Sequence, residues 1–598
     1  MRHFFNSIRK HLFVLCISLI PVLAFSQHPV HHHTADDHPA LRAIQDALLS
    51  GELSRDDAMI QKIYAGFRPE RLDSRFVLDD KAIIKCLTPL MADYTLNKHH
   101  LSAATIYEIE SILFEETETA QQTLQYISPS GNFVLIYDTD GVHAVNTDDA
   151  NGSGIPDYIE HAAFAADSSY RHQIETLGFK DFIQDDPYEI YFRNIGSYGR
   201  TTQSGSTTYI TIHSTFQNFP PNTHPDGDII GALYATIAHE IKHASQYSTS
   251  RWQGNSGGFN WIEMDATLME EVVFPDVNDY YNYIMSYDSQ NSRWNQNSPH
   301  RNSIFGNPQS ATPGAYWHVS WMIYFYEQFG ADFFTGVWEE FIEDRQLAMF
   351  EAIDRNLQPM GTSIAREHLK NHMWHMASGP DKSATDFGFR DRINYPNATF
   401  SQNLSFTPDS LGPLFLQPMA ATYVNVQPSN STLGQPAIRV ESDTAGVVIG
   451  VLGYFRDGTT DFMISADPNS LTQLIQTTWS WTNLIDMSIA VVNTNRGDQA
   501  SFDLVVNSIL PQQDSISQNY PNPFNPTTNI EFSLTDDKNV RVEVFDVTGR
   551  RVAILVNERL NRGFHTVVFD GRGLSSGVYI YRILTDQTSV SKKMILVK

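Results

Sequence analysis

Two histidines one helical turn apart are the strongest chemical signal in the sequence. His239 and His243 lie four residues apart in His-Glu-Ile-Lys-His, so a helix would project both side chains toward a common point. Neutral imidazole is a good ligand for Zn²⁺, and the adjacent Glu240 could take a proton from a water on the metal. The same spacing also occurs on helices with two solvent-facing histidines. A third ligand therefore decides between the two interpretations.

A candidate third ligand follows on a second expected helix. A catalytic zinc takes three protein ligands and keeps one position open. Nineteen residues separate His243 from Glu263, which lies in the segment 261–271. This segment resembles the gluzincin metallopeptidases, in which a second helix supplies a glutamate in a W-x-E-x-x-A-like setting. The resemblance implies Glu263 as the third zinc ligand. It also implies Glu270 as the acid that accepts a hydrogen bond from a ligand histidine, with Asp265 as its rival.

The resemblance extends over residues 50 to 510, to exported bacterial HExxH proteins in which a calcium-like loop, a zinc helix and a β-sandwich occur in this order. It implies a peptidase that uses zinc-bound water, with Glu240 as general base. Such a reaction also needs a donor to the oxyanion, for which Tyr316, His318 and Tyr283 are candidates. Each of these could instead be an aromatic residue of the core or of a groove.

A second metal site is predicted in the segment from Asp149 to Glu160. The twelve residues fit a calcium loop, with Gly154 at its sixth position and a helix expected directly after it. The alternative is a simple Asn-Gly turn capped by an aspartate. The expected Ca²⁺ ligands, including one backbone carbonyl, are Asp149, Asn151, Ser153, Ile155 (through its carbonyl), Asp157 and Glu160.

Cys86 is the only cysteine outside the expected signal peptide, so the mature chain can form no intrachain disulfide. Thiolate is a good zinc ligand, and Cys86 precedes the expected catalytic domain. It could therefore bind the zinc in a latent form of the enzyme. The alternative is a small buried hydrophobic residue, which is the more frequent role of a single cysteine.

Both ends of the chain indicate export. Residues 1–26 read as a signal peptide, with Arg2, Arg9 and Lys10 before a short apolar run. Residues 518–598 resemble the C-terminal sorting domain of cargo for the type IX secretion system, on motifs that include Gln-Asn-Tyr-Pro-Asn-Pro-Phe-Asn-Pro. We expect passage across the outer membrane, then release or surface attachment, with the secretion machinery as a partner. No transmembrane segment is expected in the mature chain.

The layout predicts a multidomain protein, since 598 residues exceed a single core and 41% hydrophobic content is typical of globular chains. An α+β gluzincin-like metallopeptidase domain is expected before a β-sandwich and a small all-β sorting domain. A net charge of −27 argues against a nucleic-acid partner. The predicted parts are a signal peptide (1–26), a helical pro-region (27–126), a metallopeptidase domain (127–395), a β-sandwich (396–510) and a sorting domain (515–598).

The predicted function is a secreted zinc endopeptidase acting on protein or peptide substrates. One alternative is a cell-surface binding or adhesion protein that keeps a non-catalytic zinc site. Another is a zinc hydrolase with a substrate other than a peptide. No subsite signature in the sequence identifies the natural substrate.

Overall fold

The computed structural model describes most of the chain and leaves out the expected signal peptide. The described residues are 32–33, 38–77, 83–115, 123–252, 259–284, 305–307, 312–313, 315–384, 386–405, 409–429 and 432–598.

Four helices form most of the N-terminal region. Their apolar residues repeat every three to four positions and pack into one core, which includes Ile44, Ile63, Leu90 and Ile109. The region also contributes strands, which a purely helical prediction did not contain. These strands have two to five residues, which is too short for periodicity to reveal, and β2 pairs with a strand more than a hundred residues away. The helices are α1 (Pro39–Leu49), α2 (Arg55–Phe67), α3 (Thr88–Asn97) and α4 (Ala103–Glu115).

A seven-stranded mixed sheet joins this region to the rest of the first half. Its spatial order is β1-β2-β6-β7-β5-β4-β3. The pairs β2–β6 and β5–β7 are parallel, whereas β6–β7 is antiparallel. The strands are β1 (His32–His33), β2 (Ile83–Cys86), β3 (Thr123–Ile127), β4 (Phe133–Asp138), β5 (Tyr188–Arg193), β6 (Ser197–Ser204) and β7 (Thr207–His213).

Helix α6 runs through the centre of this domain. From Gly231 to Tyr247 every side chain is buried, since α6 packs on α5, on α7 and on strands β6 and β7. A short hairpin, β8 (Phe305–Asn307) and β9 (Thr312–Pro313), precedes α9. The helices are α5 (Asp157–Tyr170), α6 (Asp228–Ser250), α7 (Phe259–Val273), α8 (Tyr281–Ile284), α9 (Val319–Phe329), α10 (Phe333–Glu343), α11 (Met349–Leu357) and α12 (Ile364–Met376).

Two sheets that share one hydrophobic core follow. The first has the order β10-β12-β17-β14-β15 and the second β11-β18-β13-β16, with Trp481 buried between them. This is a two-sheet sandwich. The strands are β10 (Gln402–Ser405), β11 (Asp409–Leu416), β12 (Ala421–Gln427), β13 (Gln435–Ser442), β14 (Val447–Phe455), β15 (Thr460–Ser465), β16 (Thr472–Gln476), β17 (Leu484–Asn493) and β18 (Ala500–Ile509).

The C-terminal module is also all-β and has its own core, around Ile530, Val542 and Tyr581. Its sheets have the orders β19-β20-β23 and β22-β21-β24-β25. Within the described residues, no helix has the length and apolar character needed to cross a membrane. The strands are β19 (Ser515–Ile516), β20 (Thr527–Leu534), β21 (Lys538–Asp546), β22 (Arg551–Leu560), β23 (Gly563–Asp570), β24 (Gly577–Thr585) and β25 (Ser589–Leu596).

Candidate metal centre

The three side chains expected to bind zinc converge in the protein interior. His239 and His243 lie one turn apart on α6, and their Nε2 atoms are 3.0 Å apart. Glu263 on α7 places Oε1 3.0 Å from Nε2 of His243 and Oε2 3.3 Å from Nε2 of His239. All three side chains are at most 1% exposed. Helices α6 and α7 thus bring the residues together as the sequence predicted.

The other ring nitrogens identify the tautomers of the two histidines. Nδ1 of His239 lies 2.8 Å from Oε1 of Glu270, and Nδ1 of His243 lies 2.8 Å from Oε1 of Gln246. The Gln246 amide nitrogen donates to Asp265, so its oxygen is the atom that faces His243. Both Nδ1 atoms therefore carry the proton in neutral imidazole. Two Nε2 lone pairs then point at one another and at a carboxylate.

Such an arrangement requires a cation. Burial lowers the pKa of His239, but its hydrogen bonds with Glu263 and Glu270 raise it more, to about 9. Burial raises the pKa of Glu263, yet the charge on His243 and the hydrogen bonds from both histidines hold it well below its usual range. Without a metal, a proton supplies the positive charge. A divalent ion would satisfy the same oxygen and nitrogen atoms without a proton.

Cys86 completes the cluster from the end of β2. Its Sγ lies 3.5 Å from Nε2 of His243, and the ligand atoms of Cys86, His239, His243 and Glu263 all lie within 4.8 Å of one another. A tetrahedral zinc, with bonds of about 2.0–2.3 Å, separates nitrogen from nitrogen by about 3.3 Å and nitrogen from sulfur by about 3.6 Å. The distances and the donor types fit Zn²⁺.

Glu240 lies beside the cluster in a fixed orientation. Its Oε2 accepts hydrogen bonds from the hydroxyls of Thr201, at 2.8 Å, and Thr88, at 3.0 Å. Its Oε1 lies 3.2 Å from Sγ of Cys86. The oxygen available as a base is therefore Oε1, and the thiol occupies the position next to it. Neither threonine was predicted, because both lie on elements far from α6 in sequence.

The candidate oxyanion donors have different surroundings. The Tyr316 hydroxyl donates to Oε2 of Glu263 and so orients that ligand. Tyr283 donates to Asp279 at 2.8 Å. His318 is fully buried where α9 begins. Tyr316 thus contacts one of the expected metal ligands, while the role of each of the three as an oxyanion donor stays a prediction.

A buried lysine lies behind the histidines. Lys85 Nζ is 2.8 Å from Glu270 and 2.6 Å from Asp279, and all three side chains are at most 3% exposed. Asp265, the rival to Glu270, instead accepts hydrogen bonds from Gln246 and Trp338. Glu270 is therefore the carboxylate that contacts a ligand histidine. Without the positive charge of Lys85, the negative charges of the buried Glu270 and Asp279 would be less well neutralised.

The expected calcium ligands gather around one exposed turn. Asp149 accepts hydrogen bonds from the backbone N–H groups of Ser153 and Gly154, at 3.0 and 2.9 Å. Asn151 donates to Glu160 at 2.6 Å, and Asp157 accepts from the N–H of Ala150 at 3.0 Å. Helix α5 begins at Asp157, as a calcium loop requires. Calcium binding itself stays a prediction.

Comparison with known proteins identifies the C-terminal module. Residues 518–598 match the family described as the secretion system C-terminal sorting domain. These residues are a sorting domain. The module indicates secretion or attachment to the cell surface, as its motifs predicted. A comparison with curated proteins gave no match.

Solved structures show only partial likeness. PorZ, described as a surface component of the type IX secretion system of Porphyromonas gingivalis, is 16% identical, with a TM-score of 0.12. The match covers 18% of this chain and 15% of PorZ. A β-glucuronidase of Faecalibacterium prausnitzii is 10% identical over 29% of this chain and 36% of its own, with a TM-score of 0.11. These values support no conclusion about the first half of the chain.

Proposed function

We propose that the protein is a secreted, zinc-dependent endopeptidase. The proposal rests on one observation: two histidine Nε2 atoms with fixed tautomers and one carboxylate converge, with a second carboxylate beside them. Zn²⁺ held by His239, His243 and Glu263 would polarise a peptide carbonyl and lower the pKa of a bound water. No subsite on the described residues identifies a particular protein substrate.

The chain supplies the remaining steps through its own side chains. Glu240 accepts a proton at Oε1, since the Thr201 hydroxyl already occupies Oε2. It then delivers that proton to the leaving amine as general acid. Glu270 and Gln246 keep both histidines in the tautomer whose Nε2 can bind a metal. The burial of the cluster excludes bulk water.

A second candidate function has a specific observation in its favour. Structural zinc sites are closed by four protein ligands, and Cys86 makes a fourth donor beside the other three. A closed site of this kind suits a surface binding or adhesion protein. In that case Glu240 would be a buried acid with no role in turnover.

Substitution of the general base separates the two functions. We would incubate wild type and Glu240→Gln with a peptide library, as isolated and after limited proteolysis, and measure zinc in both. If both bind one zinc and only wild type cleaves, the peptidase is supported. Removal of a general base is expected to lower the rate by about 10²–10⁴-fold. Equal zinc content without cleavage by either protein supports the binding protein.

We also propose that the loop from Asp149 to Glu160 binds Ca²⁺. The support is the set of oxygen side chains around one turn, and positive φ angles of 72° and 84° at Gly152 and Gly154, which let the backbone turn sharply. Its role would be to stabilise the start of α5 in a domain that has no disulfide.

A further inference from the structure

The N-terminal region closes the metal site with a single short segment, residues 85–88. Cys86 contacts Glu240 and His243, and Thr88 contacts Glu240. The neighbouring Lys85 contacts Glu270 on the far side of His239. Three of four successive residues thus contact groups that bind or orient the metal.

The same segment is held along strand β6. Ile84 pairs with Ser197 and Cys86 with Gly199 in parallel register. The N–H of Leu87 donates to the carbonyl of Gly199 at 3.2 Å. Strand β2 therefore occupies the edge of β6 that lies next to Glu240 and the metal ligands.

That edge is the natural position for an extended substrate. With β2 displaced, β6 would present unpaired backbone groups directly beside Glu240, and an extended peptide can add to such an edge as a further strand. The scissile bond would then lie where Sγ of Cys86 now lies. At present Cys86 is fully buried, pairs with Gly199 of β6 and contacts His243.

We propose that Cys86 is a fourth metal ligand and that residues 83–88 hold the peptidase latent by occupying its substrate strand. The proposal rests on the proposed peptidase function. Activation is a ligand exchange: departure of the N-terminal region takes the thiolate away from the metal, and water takes its place. The ligand displaced from the metal is a thiolate, and the substrate that then binds along β6 is an extended peptide.

Cobalt tests the ligand directly, without reference to activity. The chain from residue 27 onward, loaded with Co²⁺, should show thiolate-to-cobalt charge-transfer absorption in the near ultraviolet. Cys86→Ser should lose it, and Ile84→Val, a buried change in the same strand, should keep it. Since Cys86 is the only cysteine beyond the signal peptide, no other thiol can supply the absorption. Identical spectra for wild type and Cys86→Ser would overturn the proposal.

Alkylation tests the same ligand on the wild-type chain alone, so the result does not depend on whether a variant folds. In the zinc-loaded wild-type chain, Cys86 should react with a maleimide at least about tenfold more slowly than after a chelator removes the metal. Both rates are measured at a urea concentration at which the metal-free thiol reacts; equal rates there would overturn the assignment of Cys86 as a ligand.

Latency is tested with a site-specific protease sequence inserted between residues 116 and 122. Cutting the full chain should abolish the cobalt–thiolate absorption and raise peptide hydrolysis at least about tenfold. If the absorption persists and nothing is cleaved, Cys86 is a permanent ligand. That outcome rejects both the latency proposal and the proposed peptidase function. If the absorption was never present but the cut chain cleaves and its Glu240→Gln form does not, only the Cys86 proposal fails.

Discussion

The hydrogen bond at Nδ1 determines whether each histidine can bind a metal. Gln246 matters here as much as the ligands, because its carbonyl oxygen holds the proton of His243 on Nδ1. It lies three residues after the second histidine, within the same helix. The sequence offered one weak signal for this role: an amide one turn beyond a ligand on α6.

We predict that Gln246→Leu weakens zinc binding about 10–100-fold, as expected when the partner of a ligand histidine is lost. The change removes the acceptor for Nδ1 of His243 and a donor to Asp265. Competition with a chromophoric chelator measures the affinity. Gln217→Leu, at an exposed position, serves as the control and should bind zinc like wild type.

A buried acid away from the metal gives the domain a pH dependence. Burial raises the pKa of Glu271 to about 9, aided by the negative charge of Asp391, and its side chain is 4% exposed. The folded state therefore keeps a proton that the unfolded chain releases above the ordinary pKa of 4.5. Stability is complete below that value and falls as the pH rises toward 9, by about 1.4 kcal/mol per unit.

Glu271→Gln should therefore flatten the decline in stability between pH 5.5 and 8.5, because an amide has no proton to release. Urea unfolding at several pH values measures the free energy of unfolding. Glu343→Gln, at an exposed position on α10, should leave the decline unchanged. A wild-type stability that is constant over this range would contradict the prediction.

At the scale of elements, the close approach of β6 to α6 positions Glu240, the proposed general base. A Cβ added at Gly199 would lie 2.7 Å from Cγ2 of Thr236 and 3.0 Å from Oε1 of Glu240. Only a glycine lets the strand come this near to the helix. The strand, and not the helix alone, thus limits where the carboxylate can lie.

We predict that Gly199→Ala lowers peptide hydrolysis by about 10²-fold in the cut chain, since a misplacement of about 1 Å can cost that much. Zinc content should remain at the wild-type value. Gly196→Ala, where the added Cβ has 4.0 Å to its nearest neighbour, is the matched control. Unchanged hydrolysis by Gly199→Ala would show that Glu240 is not the limiting base.

If the loop from Asp149 to Glu160 binds Ca²⁺, the ion should stabilise the start of α5. Ca²⁺ at 100 times its Kd should stabilise the domain by about 2.7 kcal/mol, observed as a higher Tm. Asp149→Ala should abolish the increase, because it removes the residue that accepts two backbone hydrogen bonds in the turn. Asp140→Ala, on the exposed turn before the loop, should still show it.

Features that depend on residues within one element, or two neighbouring ones, could be predicted from the sequence. Features that depend on contacts between distant segments could not. The spacing of His239 and His243 predicted that both side chains share one face of a helix, and the structure brings them together with Glu263 of the next helix. The placement of Cys86 depends on β2 pairing with β6, more than a hundred residues away, and no pattern within β2 indicates that partner. Strands such as β13 and β21 were recognisable because apolar and polar residues alternate along them over several residues.

For the whole molecule, the sorting domain is a separate unit with its own core. We predict that a chain lacking residues 518–598 keeps its zinc but does not cross the outer membrane. The fraction of the protein at the cell surface or in the medium, measured by immunoblot against the full chain, checks this. Export of the shortened chain at the wild-type level would contradict the role of the module.

The position of Cys86 also has a consequence for chain entropy. Cys86 and His243 are 157 residues apart, so an ion bound to both would cross-link two distant parts of the polypeptide. A covalent link closing a loop of that length is worth roughly 5 kcal/mol on the chain-entropy model. A chelator would then remove the ion and also lower the free energy of unfolding. It would also remove the cross-link between strand β2 and helix α6.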